Sequence, residues 1–228
     1  MTITQNLTHY NRHRRRSKQS SWSPHFALTA LLFALCLATF VKKSPDLDKI
    51  NPFFGHLPPL AMEGGDPYIR ALMRTISASE SNGKNPYILL YGGQHTHDLS
   101  HHPNTCIPIK TKVNQGLCST AAGRYQFLTK TWQEKAALYH PQRQIRKTNY
   151  SFEPESQDLV TYRWLMDQHR WGIDFSEQLQ QGQVKEVLKK LSGTWTSLGY
   201  GIEDNSMTAS LPAIYEKVLA EELEQSAR

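Results

Sequence analysis

An uncharged apolar run near the N-terminus constrains this 228-residue chain more than any other feature. Residues 26–41 read FALTALLFALCLATFV, and the segment before them holds five arginines and lysines and no acidic residue. The length of this run lies between that of a signal-peptide core and the roughly 17–25 residues of a spanning helix. We therefore expect a basic cytoplasmic segment (residues 1–24) and a signal anchor or cleaved signal peptide (residues 25–41). Everything after Val41 is then exported to the periplasmic or extracellular side.

The net charge of +6 arises in this N-terminal part of the chain. Residues 1–43 hold seven of the 26 basic residues and no acidic residue, so the remainder carries 19 basic and 20 acidic residues, a net charge of −1. Proteins that bind a phosphate backbone usually carry an excess of basic residues. The chain after residue 43 has no such excess, which argues against a nucleic-acid partner. The hydrophobic fraction of 39% is enough for a packed core and excludes wholesale disorder.

Export also changes the interpretation of the three cysteines. Cys36 lies inside the apolar run, so Cys106 and Cys118 are the only pair left in the exported part. Two such thiols in an oxidising compartment more often form a disulfide than remain free. We predict a Cys106–Cys118 disulfide.

The exported part divides into a linker over residues 42–65 and a folded domain over residues 66–228. Asp66 suits the N-cap of a helix, and Pro67 suits its first position. Apolar residues then follow at the spacing of one buried helical stripe: Ile69, Leu72, Met73 and Ile76. This pattern predicts a helix that ends near residues 81–83.

The elements beyond this helix are predicted by the same rules of periodicity and capping. They are a β-like stretch over 87–91, an irregular lobe over 94–118, and helices over about 121–139, from Pro154, over 183–191, and from Ser206 to about Gln225. We therefore expect an α+β domain that is mainly helical and has one small β lobe.

Glu80 occupies an unusual place at the end of the first predicted helix. It lies eleven residues after Ile69, close to the apolar stripe, where an ionised carboxylate is costly. A helix C-terminus also disfavours negative charge, so both effects predict a raised pKa for this carboxyl group. A carboxylic acid that stays protonated near neutral pH can act as the general acid that cleaves a glycosidic bond. Periodicity alone equally allows the side chain to rotate into solvent at a frayed helix end.

A glycosidase usually employs a second carboxylate, and Asp98 is the one acidic residue between Glu80 and Glu134. Its position in the predicted β lobe could bring it opposite Glu80 across a groove. If Asp98 lies elsewhere, a route with one acid remains, in which a hydroxyl group of the substrate attacks and an anhydro sugar forms.

Several short segments carry a recognisable pattern. The most specific is residues 119–127, STAAGRYQF. The others are Ser79-Glu80-Ser81, Tyr87, Gly92-Gly93, residues 98–103 (DLSHHP), residues 156–158 (SQD) and residues 194–201 (TWTSLGYG). Together, over about residues 66–201, they resemble the phage-type lysozymes, or muramidases, of the lambda endolysin kind.

The resemblance implies a lysozyme-like fold with a cleft between a helical and a β lobe. It implies cleavage of the β-1,4 bond between N-acetylmuramic acid and N-acetylglucosamine in peptidoglycan, without a cofactor, by hydrolysis or by lytic transglycosylation to 1,6-anhydromuramic acid. Glu80 then serves as general acid and base. The family often has Gly at the position of Ser81 and Gln at the position of Ile202, and either departure could alter the balance between the two products.

The resemblance also implies a set of substrate-binding residues. Tyr125 and Gln126 match a pair that lines the cleft and contacts the sugar. Trp195 and Tyr200 could stack on sugar rings or belong to the core. A segment of the β lobe supplies three further candidates, which could instead brace their loop: Asp98, Ser100 and His102.

Two other classes of function compete with this interpretation. The histidines between His95 and His102 come near the H-x-H-x-D-H pattern of binuclear zinc hydrolases. The spacing differs from that pattern, because Asp98 directly follows His97 and an extra residue separates Asp98 from the next histidine. The second alternative is a wall-binding module without catalysis. The sequence predicts peptidoglycan and, through residues 25–41, a membrane as partners, and it gives no oligomeric state.

Overall fold

A computed structural model describes residues 57–228 except residues 82, 111–115, 146–147 and 202–204. Seven α-helices are seen in this part of the chain. They are α1 (Pro67–Glu80), α2 (Thr129–Tyr139), α3 (Pro154–Leu165), α4 (Gln168–Trp171), α5 (Phe175–Gln180), α6 (Val184–Leu191) and α7 (Leu211–Ser226). Short 3₁₀ turns occur at Pro86–Ile88, Tyr91–Gly93, Thr196–Leu198 and Thr208–Ser210. Within these described ranges, no helix combines the length and apolarity needed to cross a membrane. The predicted membrane segment (residues 25–41) lies outside them.

Helix α1 forms at the centre of the domain, as its sequence predicts. The Asp66 carboxylate accepts hydrogen bonds from the backbone N–H groups of Tyr68 and Ile69, which fixes the N-terminus of the helix. The predicted stripe is fully buried: Ile69, Leu72, Met73 and Ile76. Helix α1 packs mainly against α7, and it ends at Glu80 with Ser81 as C-cap. The prediction of this helix is confirmed at both ends.

A small β element stands beside the helices. Strands β1 (Ile107–Pro108) and β2 (Cys118–Ser119) pair antiparallel. The predicted disulfide links Cys106, the residue before β1, to Cys118 of β2, with 5.3 Å between the Cα atoms. The expectation of a mainly helical domain with a small sheet is confirmed.

Three predicted elements differ from the structure. Residues 87–91 form no strand, because Leu89 and Leu90 make single bridges to two different partners, His95 and Ala122. The final helix begins at Leu211, after a 3₁₀ turn, and not at Ser206. Helices α4 and α5 were not predicted.

The second predicted helix begins at Thr129, eight residues later than expected. Ala122 and Phe127 instead exchange backbone hydrogen bonds across a tight turn. Gly123 has φ of +75° in this turn, and a Cβ atom there would lie 2.2 Å from Oε1 of Gln157. The turn therefore requires glycine and brings the chain against α3.

The last residues of the predicted linker belong to the folded domain. Residues 57–64, which we call the strap, bury the side chains of Leu60 and Met62. Arg74 donates to the Leu57 carbonyl (2.8 Å), and Arg70 donates to the Met62 and Gly64 carbonyls. The packed domain thus includes residues before Asp66, a segment in which the apolar residues have no regular spacing.

Two buried charged residues hold the middle of the strap. The Arg124 guanidinium donates to the carbonyls of Pro58 (2.6 Å) and Pro59 (2.8 Å). The Asp158 carboxylate accepts from the backbone N–H groups of Ala61 (2.6 Å) and Met62 (3.2 Å). Neither Arg124 nor Asp158 is exposed.

Tyr87 and Tyr125 connect these charges. Arg124 donates to the Tyr87 hydroxyl (2.8 Å), which in turn donates to Asp158 (2.7 Å). The Tyr125 hydroxyl donates to the other Asp158 oxygen at 2.6 Å. Burial, with Asp158 nearby, raises the pKa of Tyr125 well above its usual value, so the hydroxyl remains a donor.

His102 braces the loop that follows the 3₁₀ turns. Its Nε2 donates to the Phe127 carbonyl (2.7 Å), and its Nδ1 accepts from the backbone N–H of Asn104 (3.1 Å). Burial lowers the pKa of His102, with the hydrogen bond to Phe127 opposing the effect. The neutral ring therefore suits this site, because a proton on Nδ1 would displace the Asn104 bond.

We predict that Asp158→Asn destabilises the protein by about 3 kcal/mol, since the buried Arg124 loses the opposing charge and the amide nitrogen faces other donors. Urea unfolding of the full chain measures this. Asp98→Asn changes an exposed carboxylate and should leave the midpoint almost unchanged. Equal midpoints for the two variants would contradict the role given to Asp158.

The lowered pKa of His102 predicts a loss of stability in mild acid. Below about pH 6.5 the unfolded chain binds a proton at this residue more readily than the folded chain, so stability falls as the pH falls. Melting temperatures between pH 8 and pH 5 should therefore decline more steeply for the wild type than for His102→Gln. His101→Gln, at an exposed neighbour, should retain the wild-type slope.

Candidate active site

A cleft of about 470 Å³ opens beside the C-terminal end of α1. Four parts of the chain line it: the end of α1, residues 89–93, residues 119–128 with Thr131, and residues 194–197. Trp164 of α3 also contributes. The tight turn at Gly123 and the bracing of Phe127 by His102 therefore shape one wall of the cleft.

Glu80 is the last residue of α1 and lies in the wall of the cleft, partly buried. Its Oε1 atom accepts a hydrogen bond of 2.5 Å from the Ser197 hydroxyl. The carboxyl group is thus held at the cleft surface and does not extend into open solvent from a frayed helix end. Among the described residues that line the cleft, Glu80 is the only one with a carboxylate.

Ser197 is itself fixed by residues from two other parts of the chain. The Ser79 hydroxyl lies 2.6 Å from the Ser197 carbonyl and 3.1 Å from its hydroxyl oxygen. The Asn205 amide donates to the same carbonyl and approaches the Ser79 oxygen at 3.4 Å. The loop that carries Ser197 is therefore tied to the end of α1.

Tyr125 and Gln126 both line the cleft, but their polar groups turn towards the protein. The Tyr125 hydroxyl binds Asp158 behind the cleft wall. The Gln126 amide donates to the carbonyls of Gly123 (2.9 Å) and Leu89 (3.3 Å), and its backbone has φ of +45°. Both side chains stabilise the wall.

Aromatic rings form the floor of the cleft. The Trp195 ring is almost fully buried, and its Nε1 donates to the Tyr125 carbonyl (3.2 Å). Its ring centroid lies 5.1 Å from that of Trp164, which stacks on Trp171 and carries the Lys135 ammonium over one face at 4.4 Å. Such a floor is rigid and apolar, as surfaces that accept sugar rings are.

Four residues predicted for substrate binding do not line this cleft: Asp98, Ser100, His102 and Tyr200. Asp98 is exposed and accepts from the backbone N–H of Ser100, and hydrogen bonds from Ser100 lower its pKa. His102 lines a separate groove. Tyr200 has φ of +58°, and burial raises its pKa. The alternative interpretation of Asp98 and His102, that they brace their loop, describes their contacts better.

Sequence reasoning missed Ser79, Ser197 and Asn205. Ser79 and Ser197 lie inside segments that carry the family resemblance. The resemblance therefore indicated these segments, but it did not indicate the contacts of the two serines. A serine hydroxyl has no periodicity or spacing that would single it out.

The histidine cluster gives no geometry for a metal centre. Throughout the part of the chain that the structure describes, no three His, Cys, Asp or Glu side chains converge as metal ligands would. His95, His97 and His101 are exposed, and the Ser100 hydroxyl contacts Nδ1 of His101.

Comparisons with known proteins agree with the fold and the motifs. A sequence model of the endolysin family matches residues 70–221, which include the cleft. The endolysin of Escherichia phage lambda is 26% identical over 130 residues, 56% of this chain and 72% of that protein. The structure of bacteriophage lambda lysozyme complexed with a chitohexasaccharide superposes with a TM-score of 0.52 at 24% identity, covering 69% of this chain and 97% of that chain.

The structural likeness establishes the lysozyme-like fold. The sequence match extends over more than half of the chain and contains Glu80, the STAAGRYQF segment and the Ser197 loop. It confirms the resemblance inferred from the motifs. The chain belongs to the endolysin family.

Proposed function

We propose that this protein is a muramidase that cleaves the β-1,4 bond between N-acetylmuramic acid and N-acetylglucosamine in peptidoglycan, with Glu80 as general acid and base. Membership of the endolysin family supports a peptidoglycan-cleaving glycosidase. The observation that carries the assignment to Glu80 is its position as the one carboxylate among the described residues that line the cleft.

The first step requires a proton donor beside the scissile bond. Protonated Glu80 transfers its proton to the glycosidic oxygen while the C1–O bond breaks, so the leaving N-acetylglucosamine departs as an alcohol. The muramic acid ring becomes an oxocarbenium-like species at C1, and Glu80 becomes a carboxylate. Trp164 and Trp195 line the cleft and offer an apolar surface to the bound glycan.

The second step decides the product. Carboxylate Glu80 takes a proton from the nucleophile that adds to C1, which is either water or the C6 hydroxyl of the same muramic acid. Water gives a reducing end, and the C6 hydroxyl gives 1,6-anhydromuramic acid. We favour the anhydro product, because the hydrolytic mechanisms use a second carboxylate about 5–9.5 Å from the first and Asp98 does not line the cleft.

The acidic role of Glu80 predicts that Glu80→Gln lowers the release of muropeptides from purified peptidoglycan by at least 10³-fold, since an amide cannot transfer a proton. Mass analysis of the released fragments measures both rate and product. We expect anhydro ends, 18 Da lighter than the reducing ends of hydrolysis, for the wild type. A Glu80→Gln variant with undiminished lysis would instead favour the non-catalytic wall-binding module.

Two controls accompany this experiment. Asp98→Asn should retain activity close to that of the wild type, because the exposed Asp98 binds Ser100 and not the cleft. Treatment with a chelator should also leave the rate unchanged. Loss of activity on chelation, restored by zinc, would support the zinc hydrolase that the histidine cluster suggested.

We also propose that the enzyme acts outside the cytoplasmic membrane, held there by residues 25–41 or released after their cleavage. The support is the basic segment and apolar run of the sequence. Fractionation of cells that express the full chain should place the intact protein in the membrane fraction, accessible to protease only from the exported side. Recovery of the full-length protein in the cytosol would contradict the proposal.

A further inference from the structure

The structure contains a directed series of hydrogen bonds that ends on the Glu80 carboxylate. It begins at the Asn205 amide, passes through Ser79 and Ser197, and reaches Oε1 of Glu80. The Ser79 hydroxyl donates its one proton chiefly to the Ser197 carbonyl at 2.6 Å, and the Ser197 hydroxyl donates its own proton to Glu80. Ser79 and Asn205, from two separate parts of the sequence, thus hold Ser197, whose hydroxyl contacts one oxygen atom of the proposed acid.

The contacts are consistent with a single orientation of the Ser197 hydroxyl. Its oxygen lies 2.5 Å from Oε1 of Glu80 and 3.1 Å from the Ser79 hydroxyl. A carboxylate oxygen can only accept, so Ser197 donates to Glu80, and a lone pair of its oxygen remains for Ser79. Hydrogen bonds to an ionised group are stronger than those between neutral groups.

The backbone of the Ser197 loop is held as firmly as its hydroxyl. The Ser197 carbonyl accepts from both Ser79 and Asn205, and the Leu198 carbonyl accepts from the Thr208 hydroxyl at 3.0 Å. Gly199 has φ of +84°, and a Cβ atom there would lie 2.1 Å from Oγ1 of Thr208. These contacts fix where Ser197 can place its hydroxyl relative to α1.

We infer that Ser197 is a positioning residue for Glu80, whose hydroxyl fixes the orientation of the carboxyl group at the cleft wall. This inference rests on the proposed function of Glu80 as the acid. When Glu80 is ionised, the same hydrogen bond stabilises its negative charge.

The inference has a defined consequence for the ionisation of Glu80. A hydrogen bond donated to a carboxylate favours the charged form, so removal of the Ser197 hydroxyl should raise the pKa of Glu80. The enzyme then keeps its acid protonated to higher pH, but the carboxyl group is less well oriented. A purely structural serine would affect stability and leave both properties unchanged.

Ser197→Ala tests the assignment in the full chain. We expect the alkaline limb of the pH profile of kcat/KM on purified peptidoglycan to move to higher pH, and kcat at the optimum to fall by about 10-fold, with a smaller change in KM. The carboxyl resonance of Glu80, followed by ¹³C NMR in the protein without substrate, should titrate at higher pH than in the wild type. Ser197→Thr retains a hydroxyl group and should restore the wild-type titration.

Further variants keep the result interpretable. Ser79→Ala removes a partner of Ser197 and should shift the titration in the same direction by a smaller amount. Ser192→Ala removes a buried serine whose hydroxyl binds the Lys189 carbonyl away from the cleft, and it should change neither kcat nor the titration. Ser79→Ala also provides the test if Ser197→Ala fails to fold.

The outcomes separate this inference from the proposed function. If Glu80→Gln is inactive but Ser197→Ala has the wild-type titration and kcat, the muramidase proposal stands and the role of Ser197 is wrong. If Glu80→Gln is active, the proposed function is wrong. The NMR titration then still reports whether Ser197 interacts with the Glu80 carboxyl group, but Ser197 is no positioning residue for catalysis.

Discussion

The buried opposite charges of Arg124 and Asp158 are the constraint on which the rest of the domain depends. Charged groups without solvent are costly unless they are paired and hydrogen-bonded, and here the partners of the Asp158 oxygens and of the two terminal nitrogens of Arg124 come from the strap and from two tyrosines, while Nε of Arg124 has no hydrogen-bond partner among the described residues. Arg124 and Tyr125 belong to the turn that lines the cleft, whereas Asp158 lies on α3. The same interactions that satisfy these charges therefore hold the cleft wall against the helical body.

Sequence patterns predicted those parts of the fold that depend on local chemistry. The N-cap of Asp66, the apolar stripe of α1 and the proline at the start of α3 each act within one or two turns of chain, and the structure has them in place. The region around Gly123 could not be predicted in this way. Its tight turn depends on Gln157, which is distant in sequence and fills the space that a side chain on Gly123 would need.

In the candidate site, too, some features follow from the local sequence and others depend on distant residues. The helical position of Glu80 singled it out, and the STAAGRYQF segment indicated the opposite wall. The direction of each side chain required the structure: Tyr125 lines the cleft but binds Asp158 behind it, and Asp98 belongs to a loop outside it. A motif that resembles a family indicates which segments lie near the site. The hydrogen bonds of each side chain decide which of its atoms can face a ligand.

The attachment of the strap has a mechanical consequence. Five of its carbonyl groups are bound by the guanidinium groups of Arg70, Arg74 and Arg124, so several hydrogen bonds lie in sequence along one extended segment. Tension applied through the N-terminal side of the chain would load these bonds first and would reach α1 through the side chains of Arg70 and Arg74 and the Gly123 turn through Arg124. The load would therefore be divided between the helix and the turn, and Glu80, at the far end of α1, lies beyond both of the arginines through which the helix would receive it.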